Sequence, residues 1–262
     1  MPYPLSKLPY GLRCRLGELA TPAERYFLQV AAGSKDICPP QLQTITDLGV
    51  VTIMRENGAM TVEVGNGKFE PLENNTLLSG HHVHLDSLNE TDLTMEIVSS
   101  SSIWLILENC DITMSFLQKV ASKFRGSVAL LIIKRDSADT LTPICLSTIF
   151  AIFPHLGNLC LDYVTPTSWM PNEQTLSRKF RMLSNMSMYV HDLDAIRGLD
   201  FKEFFRKQPS DFQLELSTEK LPVDCIPEFE TIINKYFNPS DENCGQLAVE
   251  RATIGRSFYN LK

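Results

Sequence analysis

The stretch Trp104-Leu105-Ile106-Leu107-Glu108-Asn109-Cys110-Asp111-Ile112 alternates apolar side chains with a period of two and then breaks at Asn109-Cys110. That is the pattern of a short strand with one buried face, closed by a turn. The Leu105/Leu107 pair has counterparts at Leu130/Ile132, Leu159/Leu161, Met186/Met188 and Leu214/Leu216, at steps of 25, 29, 27 and 28 residues. A unit of that length holds one strand and one return segment. It cannot bury its apolar face alone, so successive copies must stack.

Leu105-x-Leu107-x-x-Cys110-x-Ile112 has the offsets of the leucine-rich signature. Leu156-x-x-Leu159-x-Leu161 and Leu183-x-x-Met186-x-Met188 add its leading apolar residue, whereas Phe212 to Leu216 gives only the alternation. The run Val128 to Ile133 is apolar throughout and fits either register. Helical patterns fill the intervals. Ser115 to Phe124 places Phe116, Val120 and Phe124 on one face before Gly126, and Thr142-Pro143 reads as a cap and a first-position proline leading to Ile149 and Phe153. Asn172 to Leu183, Asp200 to Lys207 and Ile226 to Phe237 have the same grain. The expected fold is therefore α/β: an irregular leucine-rich-repeat solenoid of strand–helix repeats of 25–29 residues over 101–240. An ordinary α/β layer would give the same alternation.

Other segments precede and follow it. Over residues 1–38, Leu5, Leu8, Leu12, Leu16 and Leu19 recur at three- and four-residue steps around Pro9-Tyr10-Gly11. Thr21-Pro22-Ala23-Glu24 then combines an N-cap, a first-position proline and a capping-box Glu, and Gly33 ends the second helix. Over 39–100, Val50 to Met54 and Met60 to Val64 flank Asn57-Gly58, the dipeptide best suited to a tight hairpin because both residues accept positive φ. That hairpin reads as a packing cap on the first repeat, and Ser99 to Ser102 as a joint. Residues 241–262 form a C-terminal segment whose packing the pattern leaves open.

Composition narrows the function. With 44% hydrophobic residues in 262 the chain is globular, and a formal charge of −7 without a basic block argues against nucleic acid. Seven Cys without a C-x-x-C pair fit a reducing, cytoplasmic or nuclear setting. No apolar stretch approaches the roughly 20 residues that cross a bilayer, so no membrane partner is expected. His82, His84 and Asp86 would share one face of a strand and could offer three ligands to zinc, but ligands at two-residue steps converge poorly on a tetrahedron. Cys110 with a remote His155 or His191 could form a dyad, yet Cys110 holds a turn position and reads as structural. Nucleotide-binding glycine loops and the G-x-S-x-G elbow are absent from the sequence. No catalytic residue, cofactor or resident metal is assigned, and the chain is read as a non-enzymatic binding protein.

The N-terminal run Pro4-Leu5-Ser6-Lys7-Leu8-Pro9-Tyr10-Gly11-Leu12 through Leu19, followed by Thr21 to Ala32, resembles a divergent F-box. Joined to the leucine-rich stretches around Leu105, Leu159 and Met186, that order is similar to the F-box-like, leucine-rich proteins of nematodes. The resemblance implies that Leu5, Leu8, Pro9, Leu12, Leu16 and Tyr26 meet a Skp-type adaptor protein, and that the repeats recruit an unknown target protein to a cullin ubiquitin ligase. On a curved sheet the residues between the buried leucines face the open side, which nominates Trp104, Ile106, Glu108, Asp162, Tyr189 and Glu215 as partner-binding, with Leu131 and Ile133 beside them. A scaffold or neutralising partner without a ligase role is the alternative.

Overall fold

The computed structural model describes residues 5–33, 43–64, 67–72, 76–99, 101–125, 128–136, 142–168, 183–240, 245–251 and 255–262. After one 3-10 turn at Leu5–Lys7, helix α1 spans Tyr10–Leu19 and helix α2 spans Pro22–Ala32. The start of α2 is the expected capping box: Thr21 Oγ1 accepts from the Glu24 N–H, Glu24 Oε2 accepts from the Thr21 N–H, and Gly33 closes the helix at φ 67°. α1 buries only Gly17 and leaves Leu12, Leu16 and Leu19 exposed. The pair is held to the sheet through Ala23, which is fully buried beside Leu77 and Val98 and whose N–H donates to Glu96 Oε2 at 2.8 Å. That carboxylate satisfies a helix N–H with no intrahelical partner and meets the positive end of the helix dipole.

β1 (Thr46–Glu56) turns at Asn57-Gly58 into β2 (Ala59–Glu63), with φ of 51° and 83° at the two turn residues and Glu56 opposite Ala59. β3 (Phe69–Pro71) pairs on the outer side of β2, and β4 (Leu77–Asp86) runs parallel to β1. Those two backbones come close at Gly80, where a Cβ would stand 2.6 Å from Val51 Cγ2. β5 (Glu96–Val98) and β6 (Ile103–Glu108) both pair with β4, at Leu77–Ser79 and His82–Asp86. Ser99, Ser101 and Ser102 therefore lie between two strands of one sheet.

α3 (Met114–Lys123), capped by Thr113, and β7 (Phe124–Arg125) lead to β8 (Val128–Lys134), and β9 (Thr142–Cys145) and α4 (Leu146–Ile152) lead to β10 (Asn158–Leu161). β11 (Val164–Ser168) precedes β12 (Asn185–Tyr189), and α5 (Asp194–Arg197) and α6 (Phe201–Arg206) precede β13 (Gln213–Ser217). α7 (Ile226–Tyr236), β14 (Phe237–Pro239), β15 (Leu247–Arg251) and β16 (Gly255–Leu261) complete the chain. From β6 onward β8, β10, β12, β13 and β15 join the sheet one beside another, all parallel. The fourteen-stranded sheet has the order β14-β16-β15-β13-β12-β10-β8-β6-β4-β1-β2-β3, with β5 and β7 branching from β4, while β9 and β11 form a separate ribbon.

The expected leucine-rich-repeat solenoid preceded by a separate helical module is thereby corrected to an α/β fold around one large mixed sheet. Strands from before residue 101 and after residue 240 belong to the same sheet as those between, and antiparallel pairs close both of its ends. The helices are few and short among the described residues, α5 and α6 having only four and six residues. Steps of 25–29 residues measure the length of a parallel crossover, which any such sheet requires, so the spacing does not by itself specify a solenoid. Thr142-Pro143 lies in β9, and the helix begins at Leu146. The helix expected over Asn172 to Leu183 falls at 172–182 outside the described residues, as does Gly126.

Two rows of inward side chains make the core. Val51, Val83, Leu105, Leu131, Leu159, Met186, Leu214, Leu247 and Tyr259 stand opposite one another in one row, all buried. Ile53, Leu85, Leu107, Ile133, Leu161, Met188, Leu216 and Val249 form the next. Phe116, Leu117 and Val120 of α3 and Ile149 and Phe150 of α4 bury their faces in the same core. At the far end Phe201, Phe204, Phe205, Phe212 and Phe237 meet edge to face or tilted, with centroids 5.2 to 5.7 Å apart.

In β8 the buried pair is Leu131/Ile133, not Leu130/Ile132, and Leu131 and Ile133 leave the set expected on the open face. A one-residue shift exchanges every side chain between faces. Leu131→Ala is expected to cost about 2–5 kcal/mol, and Leu130→Ala less than about 1 kcal/mol. Urea unfolding of the two variants measures the difference, and equal losses would contradict this register.

Candidate functional site

The face opposite the buried rows is assembled by the same pairing. One line across it runs Val50, His82, Trp104, Leu130, Asn158, Asn185 and Gln213, and the next Thr52, His84, Ile106, Ile132, Cys160, Ser187 and Glu215. The face therefore has two halves. Over β1 to β8 its large side chains are mostly apolar, with Val50 54% and Trp104 49% exposed, Ile106, Leu130 and Ile132 half-buried, and His82, His84 and Thr52 among them. From β10 onward it carries amides, hydroxyls and carboxylates.

The apolar half is bounded by a charge ladder. Glu108 Oε2 lies 2.6 Å from His84 Nε2 and 2.7 Å from Lys134 Nζ, so the carboxylate joins three neighbouring strands. His82 is stacked on the Trp104 indole at 4.4 Å between centroids and 16° between planes, and Asp86 accepts from the Ser87 hydroxyl. The three residues that could have held zinc are thus engaged with different partners. No group of three or more His, Cys, Asp or Glu side chains among the described residues is arranged to hold a metal ion.

A second cluster lies past the end of β10. Lys220 Nζ donates to both Asp162 oxygens at 2.8 and 2.9 Å and sits over the Tyr163 and Tyr189 rings, 4.0 and 4.6 Å from their centroids. Burial pulls this ammonium down, but the hydrogen bonds and charge of Asp162 outweigh it and leave the Lys220 pKa raised. Tyr163 stacks on His191 at 4.0 Å, and its N–H donates to His191 Nε2 at 3.0 Å. Nε2 therefore carries the lone pair, and its 3.4 Å approach to Asp162 Oδ1 is a close contact between acceptors rather than an ion pair. Burial pushes the imidazole below its ordinary pKa; the Lys220 charge adds to this and Asp162 opposes it.

The backbone there is strained. Ser87, Asn109 and Tyr163 occupy equivalent places two residues beyond Leu85, Leu107 and Leu161, with φ of 58°, 52° and 54°. Asn109 suits the left-handed region and bonds Asp136 twice, at 2.7 and 2.9 Å. A tyrosine pays about 1–2 kcal/mol for that conformation, which its contacts with His191 and Lys220 offset.

The nominated residues divide between these regions. Trp104 and Ile106 lie in the apolar half, Glu108 in its bordering ladder, and Asp162, Tyr189 and Glu215 at the polar end, where Arg256 lies 3.0 Å from Glu215. Leu12 and Leu16 are exposed on α1, and Leu16 helps line an apolar hollow of about 530 Å3 with Leu19, Phe27 and Leu28. Leu5 and Leu8 are half-buried in and after the 3-10 turn, Pro9 is exposed before α1, and Tyr26 packs toward Ala23 and the sheet. Cys110 is sealed in the core, donates to the Leu85 carbonyl at 3.3 Å, and has its thiol pushed up to about 12 chiefly by burial. Such a group makes a poor nucleophile. Arg135 donates to the Cys110 carbonyl at 3.0 Å, which accounts for the basic pair at the end of β8.

Sequence reasoning passed over Lys220, Tyr163 and the role of His191. The alignment of Asp162-Tyr163 with Glu108-Asn109 offered a signal for the turn, but Lys220 lies 58 residues from Asp162 and carries no local mark.

Lys220→Met leaves the Asp162 carboxylate without its ammonium and is expected to lower stability by about 1–3 kcal/mol, part of which Asp162→Asn should restore in the same background. Urea midpoints of the single and double variants check it. For His191 the folded pKa lies below the unfolded one, so the unfolded chain takes up the proton first. Its contribution is full above about pH 6.5 and is lost as pH falls toward the folded value. His191→Gln should flatten stability between about pH 7 and pH 5, and an unchanged slope would contradict the assignment. Comparison of the chain with known family models, curated proteins and solved structures returns no match.

Proposed function

We propose that this chain is a protein–protein interaction module that performs no bond chemistry, with the open sheet face holding a target protein. The observation that carries this is where the large apolar side chains stay in water. Of the ten exposed among the described residues, Tyr10, Leu12, Leu16, Leu19, Phe27 and Val30 lie on α1 and α2, and Val50 and Trp104 flank His82 on the sheet face. Contiguous exposed apolar patches of this kind are the usual mark of a binding surface. No helix among the described residues is long and apolar enough to cross a membrane.

The F-box resemblance gives the two patches separate roles. The helices engage a Skp-type adaptor, the sheet face selects the target, and the chain acts by holding that target near a ubiquitin ligase. A second reading keeps the target-binding face and drops the ligase, as a scaffold or neutralising partner. One sequence observation favours it: the third F-box helix commonly ends in Trp, and the stretch after Gly33 reads Ser34-Lys35-Asp36-Ile37-Cys38-Pro39-Pro40.

Binding of the purified full chain to a purified Skp-type adaptor separates the two. The adaptor reading expects a complex that Leu12→Asp with Leu16→Asp weakens at least about tenfold while Trp104→Ala leaves it intact. The absence of any complex with the parent chain would remove the ligase role.

A further inference from the structure

The open face is divided by charge as well as by polarity, and that division specifies what a partner must present. Trp104, Leu130 and Ile132 supply an apolar platform over β6 and β8. Across β10, β12, β13 and β15 the face sinks into a cavity of about 140 Å3, lined by Cys160, Ser187, Tyr189, Glu215, Ser217 and Glu250 among others. Two carboxylates line it. Lys220 answers the nearby Asp162, and Arg256, which stands opposite Glu250 across the β15–β16 pair, bonds Glu215 at 3.0 Å, so the cavity's two carboxylates have one guanidinium between them and the exposed Glu250 makes no ion pair among the described residues. The cavity thus keeps an excess negative charge, with two serine side chains and a tyrosine around it.

Resting on the reading of this face as a target-binding surface, we propose that it takes an extended protein segment bearing a large apolar side chain and an arginine. The apolar side chain packs on Trp104 and Leu130, and the guanidinium enters the Glu215–Glu250 cavity. A planar guanidinium can bond Glu250 and a serine hydroxyl at once, which an ammonium does with less geometric fit. The spacing follows from the sheet. β6 and β13 are four strand positions apart and β8 and β13 three, so at about 4.8 Å per strand the anchors stand roughly 14–19 Å apart. An extended chain covers that distance in about four to six residues at about 3.3 Å each. The same carboxylates repel a phosphate backbone, so the cavity disfavours nucleic acid.

A library of random twelve-residue peptides displayed on phage, selected on the immobilised full chain, tests this. Recovered peptides should carry an arginine about four to six residues from an aromatic or large aliphatic residue. Their synthetic forms should bind at least about tenfold more weakly to Glu250→Gln and to Trp104→Ala, and should lose binding when the arginine is changed to glutamate. Glu250 is exposed, and an unchanged thermal midpoint of Glu250→Gln separates lost binding from lost folding. Peptides that depend on Trp104 but are indifferent to Glu250→Gln would overturn the arginine site and leave the binding-face reading in place. Recovery of no peptide that prefers the parent chain to the Trp104→Ala variant would overturn both.

Discussion

Parallel pairing of strands in a single register is the constraint on which the rest of this structure depends. Each crossover must deliver the next strand so that its two apolar residues fall opposite Leu105 and Leu107, because a slip by one residue would turn them to water. Nine buried residues from Val51 to Tyr259 line up on that condition, and the short helices on the same side fill the space above them. The apolar burial is therefore collective. Removing one member opens a cavity shared by two neighbouring strands and the helix over them.

The open face is the counterpart of that arrangement. Once alternate residues are committed to the core, those between them are free of packing demands, and the chain uses them unevenly. Trp104, Ile106, Leu130 and Ile132 keep apolar surface near water, whereas Ser187, Glu215 and Tyr189 make the other end polar. The strand ends carry the cost of the sharp exit. Asn109 accepts left-handed backbone readily, but Ser87 and Tyr163 do not, and Tyr163 is held there by His191 and Lys220. The strained residue thus shares the Lys220 ammonium with the Tyr189 ring, which lines the acidic cavity.

Local features of this fold were legible in the sequence because their causes are local. The period of two at Leu105/Leu107, the Asn57-Gly58 turn and the Thr21–Glu24 capping box each depend on residues within a few positions of one another. The register of β8 was not legible, since Val128 to Ile133 is apolar at every position and only its neighbours on β6 and β10 choose the face. The difference between a solenoid and a mixed sheet lies in the ends of the chain, where Leu247–Arg251 joins Gln213–Ser217 in the sheet and Gly255–Leu261 turns back antiparallel on it. On the candidate face, Trp104 and Glu215 follow from alternation alone. Lys220 and His191 do not, because nothing short of the fold brings them to Asp162.

The strands at the two ends of the main strand order, β3 and β14, are three residues long and each ends in a proline, Pro71 and Pro239, and the branch off β4 ends in the two-residue β7. Proline has no N–H to offer a further strand, and three residues give little length to template one. A fourteen-stranded sheet with long open borders would invite edge-to-edge polymerisation. Here both borders are blunted, so copies of the protein can crowd together in solution without joining their sheets, and surface association is left to side chains on the open face and the helices rather than to backbone hydrogen bonds.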